Sequence, residues 1–159
     1  MTAAVLGLSL LIGVVAGSRA LTAPAVMSWA AVLHWIPVDD KWSFWMNSWI
    51  TVGILTALAL VELVTDQLPK TPNRKTTPQF SARLLTGAFA GAVLGSGWHH
   101  TFAGLGAGVI GAVFGTLCFY EFRSRLVSAT GNRDLPIALL EDVIAVGGGF
   151  VIAYLASTV

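Results

Sequence analysis

Six long apolar stretches, separated by short polar segments, constrain the fold of this chain more than any other feature of its sequence. They cover roughly residues 2–17, 20–34, 48–66, 82–97, 101–122 and 135–157. Charged residues make up only 11% of the chain, whereas a soluble domain typically has about 25%. So few charges cannot cover a surface in contact with water. We therefore expect a single transmembrane domain over residues 1–159.

The lengths of these stretches predict an all-α membrane protein with about six helical segments. A helix rises about 1.5 Å per residue, so it needs about 20 residues to cross a hydrocarbon core of about 30 Å. The third, fifth and sixth stretches meet that length. The first, second and fourth reach only about 21 to 24 Å, so they are either marginal spans or arms of re-entrant hairpins.

The distribution of basic residues predicts the orientation of the chain, because cytoplasmic loops retain Lys and Arg. With six crossings, Arg19 and the segments after the third and fifth stretches share one side, and Lys41 lies on the other. Those two segments contain Lys70, Arg74, Lys75, Arg83, Arg123, Arg125 and Arg133. The predicted outer interface contains Trp35, Trp42, Trp45, Trp49 and Trp98, which suits the preference of tryptophan for interfaces. Both termini are therefore expected outside the cell.

A weak internal similarity predicts two related halves. Residues 13–19 (GVVAGSR) resemble residues 91–97 (GAVLGSG), and each segment closes a short apolar stretch. Halves at about residues 1–70 and 80–159 would contain three helices each, and an odd number inverts the second half in the membrane. The sequence thus predicts an inverted repeat of three plus three helices. Chance similarity between glycine-rich segments is the alternative.

Glycines recur at four-residue spacing in the later stretches. They are Gly87, Gly91 and Gly95, then Gly104 with Gly108, Gly111 with Gly115, and the run 147–149. Small residues at this spacing let helix backbones approach closely. Three interpretations stay open, namely packing within one chain, a homodimer face, or a smooth wall along a solute path. We expect a homo-oligomer, because so short a chain can hardly enclose a path alone.

Four carboxylates lie inside or beside the apolar stretches. Glu62 precedes Asp66 by one helical turn, and Glu141 and Asp142 lie about two turns into the sixth stretch. Ionisable groups are costly in hydrocarbon and suggest function by default. We predict a proton-responsive pair at Glu62 and Asp66 and a second carboxylate gate at Glu141 and Asp142. Structural ion pairs with Arg19, Arg123 or Arg125 are the alternative.

Arg19 follows Gly17 and Ser18 between the first two stretches. If these stretches form a re-entrant hairpin, the guanidinium and the amino end of the next helix point to one spot, where both favour an anion. Broken helices of secondary transporters bind substrates in this way. We therefore predict an anion site at Ser18 and Arg19. The alternative is an arginine that extends to the lipid headgroups.

Other chemistry has little support in the sequence. His34, His99 and His100 fall on the predicted outer side near Asp39 and Asp40 and are candidate metal ligands, although adjacent histidines do not have zinc-ligand spacing. Phosphate-binding loops, zinc-protease motifs and nucleophile elbows do not occur in the sequence, so we expect no enzyme and no cofactor. The formal net charge of +1 does not suggest nucleic-acid binding.

The segments 17–20 (GSRA) and 61–69 (VELVTDQLP), together with Pro24, resemble a family of small bacterial integral membrane proteins known only as a domain of unknown function. The resemblance covers most of the chain. It implies a location in the bacterial inner membrane, and it implies no activity and no site residues.

Taken together, these features predict a small membrane transporter or channel with a carboxylate and arginine polar site, for an anionic small solute. The alternative is a non-transporting membrane scaffold or lipid-binding protein, in which the same charges pair with one another and the glycines pack. A polar cavity that reaches Glu62 would favour transport, and a dry core with paired charges would favour the scaffold.

Overall fold

The computed structural model describes residues 1–68 and 76–159, and within them the chain forms six α-helices and no β-strand. The helices are α1 (Thr2–Ser18), α2 (Thr22–Val32), α3 (Trp49–Thr65), α4 (Thr77–Ser96), α5 (Thr101–Ala129) and α6 (Asp134–Ala156), with a short 3₁₀ turn at Phe44–Met46. The predicted all-α class is confirmed. The predicted cytoplasmic residues Lys70, Arg74 and Lys75 lie outside the described residues.

Several helices differ in length from the apolar stretches that predicted them. α2 has 11 residues, because the backbone at His34 adopts a positive φ of 57° and turns the chain away. α4 has 20 residues and begins in polar sequence, with a proline in its first turn, a position that suits proline. α5 continues to Ala129 through a polar segment. Hydropathy therefore located the apolar part of α4 and α5 and missed the polar start of α4 and the polar end of α5.

Two of the described helices, α5 and α6, are long and apolar enough to cross a membrane, while α1, α2 and α3 are shorter apolar helices. The 17 residues of α3 rise only about 26 Å, which is less than the sequence led us to expect. These lengths and compositions are consistent with a membrane location.

Glycine faces hold α1, α4 and α5 in backbone contact. A methyl group added to Gly108 would overlap the carbonyl oxygen of Gly87, and one added to Gly91 would overlap that of Gly104. On the other side of α5, Gly111 and Gly115 pack in the same way against the backbone of α1. Packing within one chain therefore accounts for the predicted glycine pattern on α4 and α5. In the run 147–149, Gly149 meets a side chain and the two glycines before it face open space.

Consecutive helices run in alternating directions, so the bundle has two chemically different ends. At one end, which we call the charged end, α1, α3 and α5 finish and α2, α4 and α6 begin; Arg123 of α5 pairs there with Asp134 of α6. At the other end, which we call the tryptophan end, the ring of Trp35 contacts that of Tyr154. The two ends are where the candidate functional residues gather.

Candidate functional site

The chain breaks between α1 and α2 at a point buried inside the charged end. Arg19, the residue after α1, has an extended backbone and a fully buried side chain. Just before the break, Gly17 lies against Thr116 of α5, and α5 continues from there to Ala129, a distance of about 20 Å. The break is therefore recessed within the bundle rather than placed at its tip.

Arg19 joins the end of α3 to α6. Its Nη1 donates to Oδ2 of Asp66, the residue that follows α3. Its Nε donates to Oδ1 of Asp142 on α6 at 2.7 Å, and Nη2 lies 2.5 Å from the same oxygen. The other oxygen of Asp142 accepts a hydrogen bond from the amide of Gln67 at 3.0 Å. One guanidinium thus holds two carboxylates together.

Glu62 of α3 caps the beginning of α2. Its Oε1 accepts from the backbone N–H of Ala20, and its Oε2 accepts from that of Leu21, both at 2.7 Å. The residue before α2 provides no side-chain cap of its own. Since the amino end of a helix has unpaired N–H groups and a partial positive charge, a carboxylate there is stabilising. The amides predicted to bind an anion therefore bind Glu62.

Arg83 of α4 caps the carboxyl end of α1 with a positive charge. Its side chain is 1% exposed, and its Nη1 donates to the carbonyl oxygens of Gly17 at 2.8 Å and Ser18 at 2.5 Å. Its Nη2 lies 3.8 Å from Oδ2 of Asp66. The carboxyl end of a helix favours a cation, so both sides of the break are matched by buried charges.

We call Arg19, Glu62, Asp66, Arg83 and Asp142 the charge cluster. By sequence alone, Arg83 counts among the basic residues that follow the third stretch, because hydropathy does not predict that α4 begins in the polar sequence before residue 82. The signal that identifies it is its position about two turns inside a helix that starts in polar sequence. A charged residue at that depth needs an internal partner.

Two further predicted site residues, Ser18 and Glu141, lie near the charge cluster. Ser18 is buried, but its hydroxyl donates to the carbonyl oxygen of Val15 within α1 at 2.8 Å. Glu141 is buried, and its Oε2 lies 3.7 Å from Nη1 of Arg123. Neighbouring residues on a helix point in directions about 100° apart, and Asp142 pairs with Arg19 whereas Glu141 lies near Arg123. The carboxylate gate at Glu141 and Asp142 stays a sequence-based prediction.

The three histidines lie at the tryptophan end. Nε2 of His99 is 3.0 Å from Nζ of Lys41, while Asp39 accepts a hydrogen bond from Asn47 at 2.7 Å. In the part of the chain that the structure describes, no three His, Cys, Asp or Glu side chains are arranged to hold a metal ion. The metal interpretation of His34, His99 and His100 stays a sequence-based prediction.

Comparison with known proteins gives one match. A family model described as a domain of unknown function matches residues 4–157. No curated protein matches the chain, and no solved structure matches it. The site must therefore be interpreted from its own geometry.

Proposed function

The chain belongs to the family named Domain of unknown function (DUF4126), and we propose that it is a small membrane transporter or channel for an anionic solute. One observation carries the proposal. The two groups at the helix break that would bind an anion, the guanidinium of Arg19 and the amides of Ala20 and Leu21, both hold carboxylates of the chain itself. Secondary transporters use half-helix amino ends to bind anionic substrate groups.

A second feature supports a ligand at the break. The hydroxyl of Thr22, the first residue of α2, is buried and has no hydrogen-bond partner among the described residues. Buried polar groups are nearly always satisfied, so an unpaired hydroxyl beside the charge cluster is suited to a polar group of a bound solute.

The proposed membrane placement follows from the two ends of the bundle. Arg19, Arg83 and Arg123 lie at the charged end, whereas Lys41 lies at the tryptophan end, and basic residues favour the cytoplasmic side. We propose a multi-pass protein of the bacterial inner membrane with both termini outside. Its helices α1–α3 and α4–α6 form the two inverted halves. A homo-oligomer completes the solute path.

The proposed mechanism is an exchange of anions at the break. Removing one partner of a buried ion pair costs about 3 to 5 kcal/mol, so Asp142 leaves Arg19 only when another negative group takes its place. Protonation of Glu62 weakens its hold on the amides of Ala20 and Leu21. The anionic group of the solute then takes these amides and Arg19. Deprotonation restores the internal cap and releases the solute.

Transport can be tested with the full chain in liposomes. Uptake of a panel of radiolabelled organic and inorganic anions is measured with and without an imposed pH gradient. The native protein should accumulate at least one anion, Arg19→Gln should abolish uptake, and Glu62→Gln should remove its pH dependence. Arg125→Gln is the control, because Arg125 is exposed at the charged end and pairs only loosely with Glu121 at 3.6 Å. Uptake no greater than in empty liposomes for every anion rejects the proposal.

A membrane scaffold is the second candidate, and a different observation favours it. Each carboxylate of the charge cluster has a partner, and the glycine faces bring α1, α4 and α5 into backbone contact. In this case no anion stabilises the native protein against thermal unfolding. Thermal unfolding in the presence of the same anions separates the two functions.

A further inference from the structure

The tryptophan end carries a cleft that is separate from the charge cluster. It has a volume of about 480 Å³ and lies between the segment that follows α2 and the turn that joins α4 to α5. Pockets for small ligands typically occupy about 300 to 1,000 Å³, so the cleft is large enough for a small polar group. Its lining includes Asp40, Lys41, Trp42, His99, His100 and Phe102.

Contacts between distant residues hold the two walls together. The hydroxyls of Ser43 and Ser96 form a buried hydrogen bond at 2.8 Å. Nζ of Lys41 is 3.0 Å from Nε2 of His99, and because an ammonium can only donate, the ring nitrogen is the acceptor. The ammonium of Lys41 thus lies at the cleft wall, beside His99 of the opposite segment.

The lining presents both signs of charge beside aromatic rings. Lys41 offers a cation to an anionic group, and Asp40, the preceding residue, offers an anion to a cationic group. Trp42 also lines the cleft, and tryptophan rings attract ammonium groups. A ligand that satisfies all three side chains carries a negative and a positive group a short distance apart.

We propose that the cleft binds the headgroup of a zwitterionic phospholipid, with its phosphate at Lys41 and its amine at Asp40 and Trp42. The side chain of Phe102, which is 87% exposed, begins the apolar surface of α5 and is placed to contact an acyl chain. Tryptophan residues favour the depth of lipid headgroups. The inference uses the membrane location in the proposed function, but it does not depend on transport or on the charge cluster.

The test is thermal unfolding of the full chain in a nonionic detergent, titrated with short-chain phosphatidylethanolamine and, separately, phosphatidylglycerol. The native protein should be stabilised more by phosphatidylethanolamine. Lys41→Met should weaken that binding about tenfold, which corresponds to about 1.4 kcal/mol, and Lys41→Arg should retain it. Asp40→Asn should remove the preference for phosphatidylethanolamine over phosphatidylglycerol. Arg125→Met, at the charged end, should behave as the native protein does.

Soluble glycerophosphoethanolamine then identifies the part of the lipid that is bound. Competition with the lipid supports recognition of the headgroup. Failure to compete at a hundredfold molar excess overturns the proposal, because the contact is then made by acyl chains. Equal stabilisation of the native protein and Lys41→Met by both lipids also overturns it, as does the absence of any stabilisation.

Discussion

Arg19 and Asp142, which lie 123 residues apart in the chain, form a buried ion pair with an Nε to Oδ1 distance of 2.7 Å. The pair connects the helix break to α6. The sequence around Arg19 does not show that its partner lies on this distant helix. Removing one partner of such a pair takes compensation from a buried charge. Asp142→Asn leaves Arg19 paired with Asp66, whereas Arg19→Gln takes the shared cation from both carboxylates. This difference gives the pair a measurable signature.

A double-mutant cycle should detect the ion pair between Arg19 and Asp142. Arg19→Gln should destabilise the protein by about 3 to 5 kcal/mol, and Asp142→Asn by less, because Arg19 keeps Asp66. The double variant should lose less stability than the two single losses added together, by about 0.5 to 3 kcal/mol. Thermal unfolding of the purified native protein and its three variants measures these losses of stability. The matched control is the exposed pair Arg125 and Glu121, for which the coupling should stay below about 0.5 kcal/mol. Additive effects at Arg19 and Asp142 would contradict the ion pair.

Glu62 should stabilise α2 as a cap supplied by another helix. Glu62→Gln presents one oxygen and one NH₂ group to two N–H donors, so one hydrogen bond is lost. We expect a loss of about 1 to 3 kcal/mol in the free energy of unfolding, with faster amide exchange at Ala20 and Leu21. Hydrogen exchange followed by mass spectrometry measures the exchange rates at Ala20 and Leu21. Asp39→Asn, a carboxylate change in the exposed contact with Asn47, should leave exchange at the break unchanged.

Arg83 should matter for folding although sequence reasoning assigned it only to topology. Arg83→Met removes the donors to the carbonyl oxygens of Gly17 and Ser18, and we expect destabilisation of about 2 to 4 kcal/mol. Arg83→Lys keeps the charge but loses the planar fork, so it should recover only part of the stability. Arg133→Met, an exposed change before α6, is the control. Equal stability of Arg83→Met and Arg133→Met in thermal unfolding would exclude this role.

Gly106 and Gly108, both on α5, provide a matched pair of variants for testing the contact between α5 and α4. Gly108→Ala places a methyl group against the carbonyl oxygen of Gly87, whereas Gly106→Ala places it in open space. The first should destabilise the protein by about 1 to 3 kcal/mol. The second should be neutral or stabilising by up to about 1 kcal/mol, because alanine is the better helix former. If the two variants unfold at the same temperature, α5 does not pack against α4 at this face.

Orientation can be checked by labelling single cysteines in a Cys118→Ser background. Asp40 lies at the tryptophan end and Gly131 at the charged end, and both are exposed. In intact cells an impermeant reagent should label Asp40→Cys and not Gly131→Cys, because basic residues keep the charged end in the cytoplasm. The reverse pattern would invert the proposed topology.

The sequence by itself determined the helical class, most of the helix positions and the polar residues worth attention. Hydrophobic runs and glycine spacing act locally, through the rise and period of a helix, so they can be recognised without knowledge of neighbours. The same reasoning identified Arg19, Glu62, Asp66 and Asp142, because charged groups within apolar sequence are rare.

Only the tertiary structure decided which of these groups meet. Glu62 and Asp66 are one turn apart in sequence, yet one caps α2 while the other pairs with Arg19. Glu141 and Asp142 are adjacent, yet Asp142 pairs with Arg19 and Glu141 lies near Arg123. The partners of a side chain across helices depend on how the glycine faces bring α1, α4 and α5 together and on where α3 and α6 pack around them. That arrangement arises from backbone contacts between segments far apart in the chain, which no local pattern encodes.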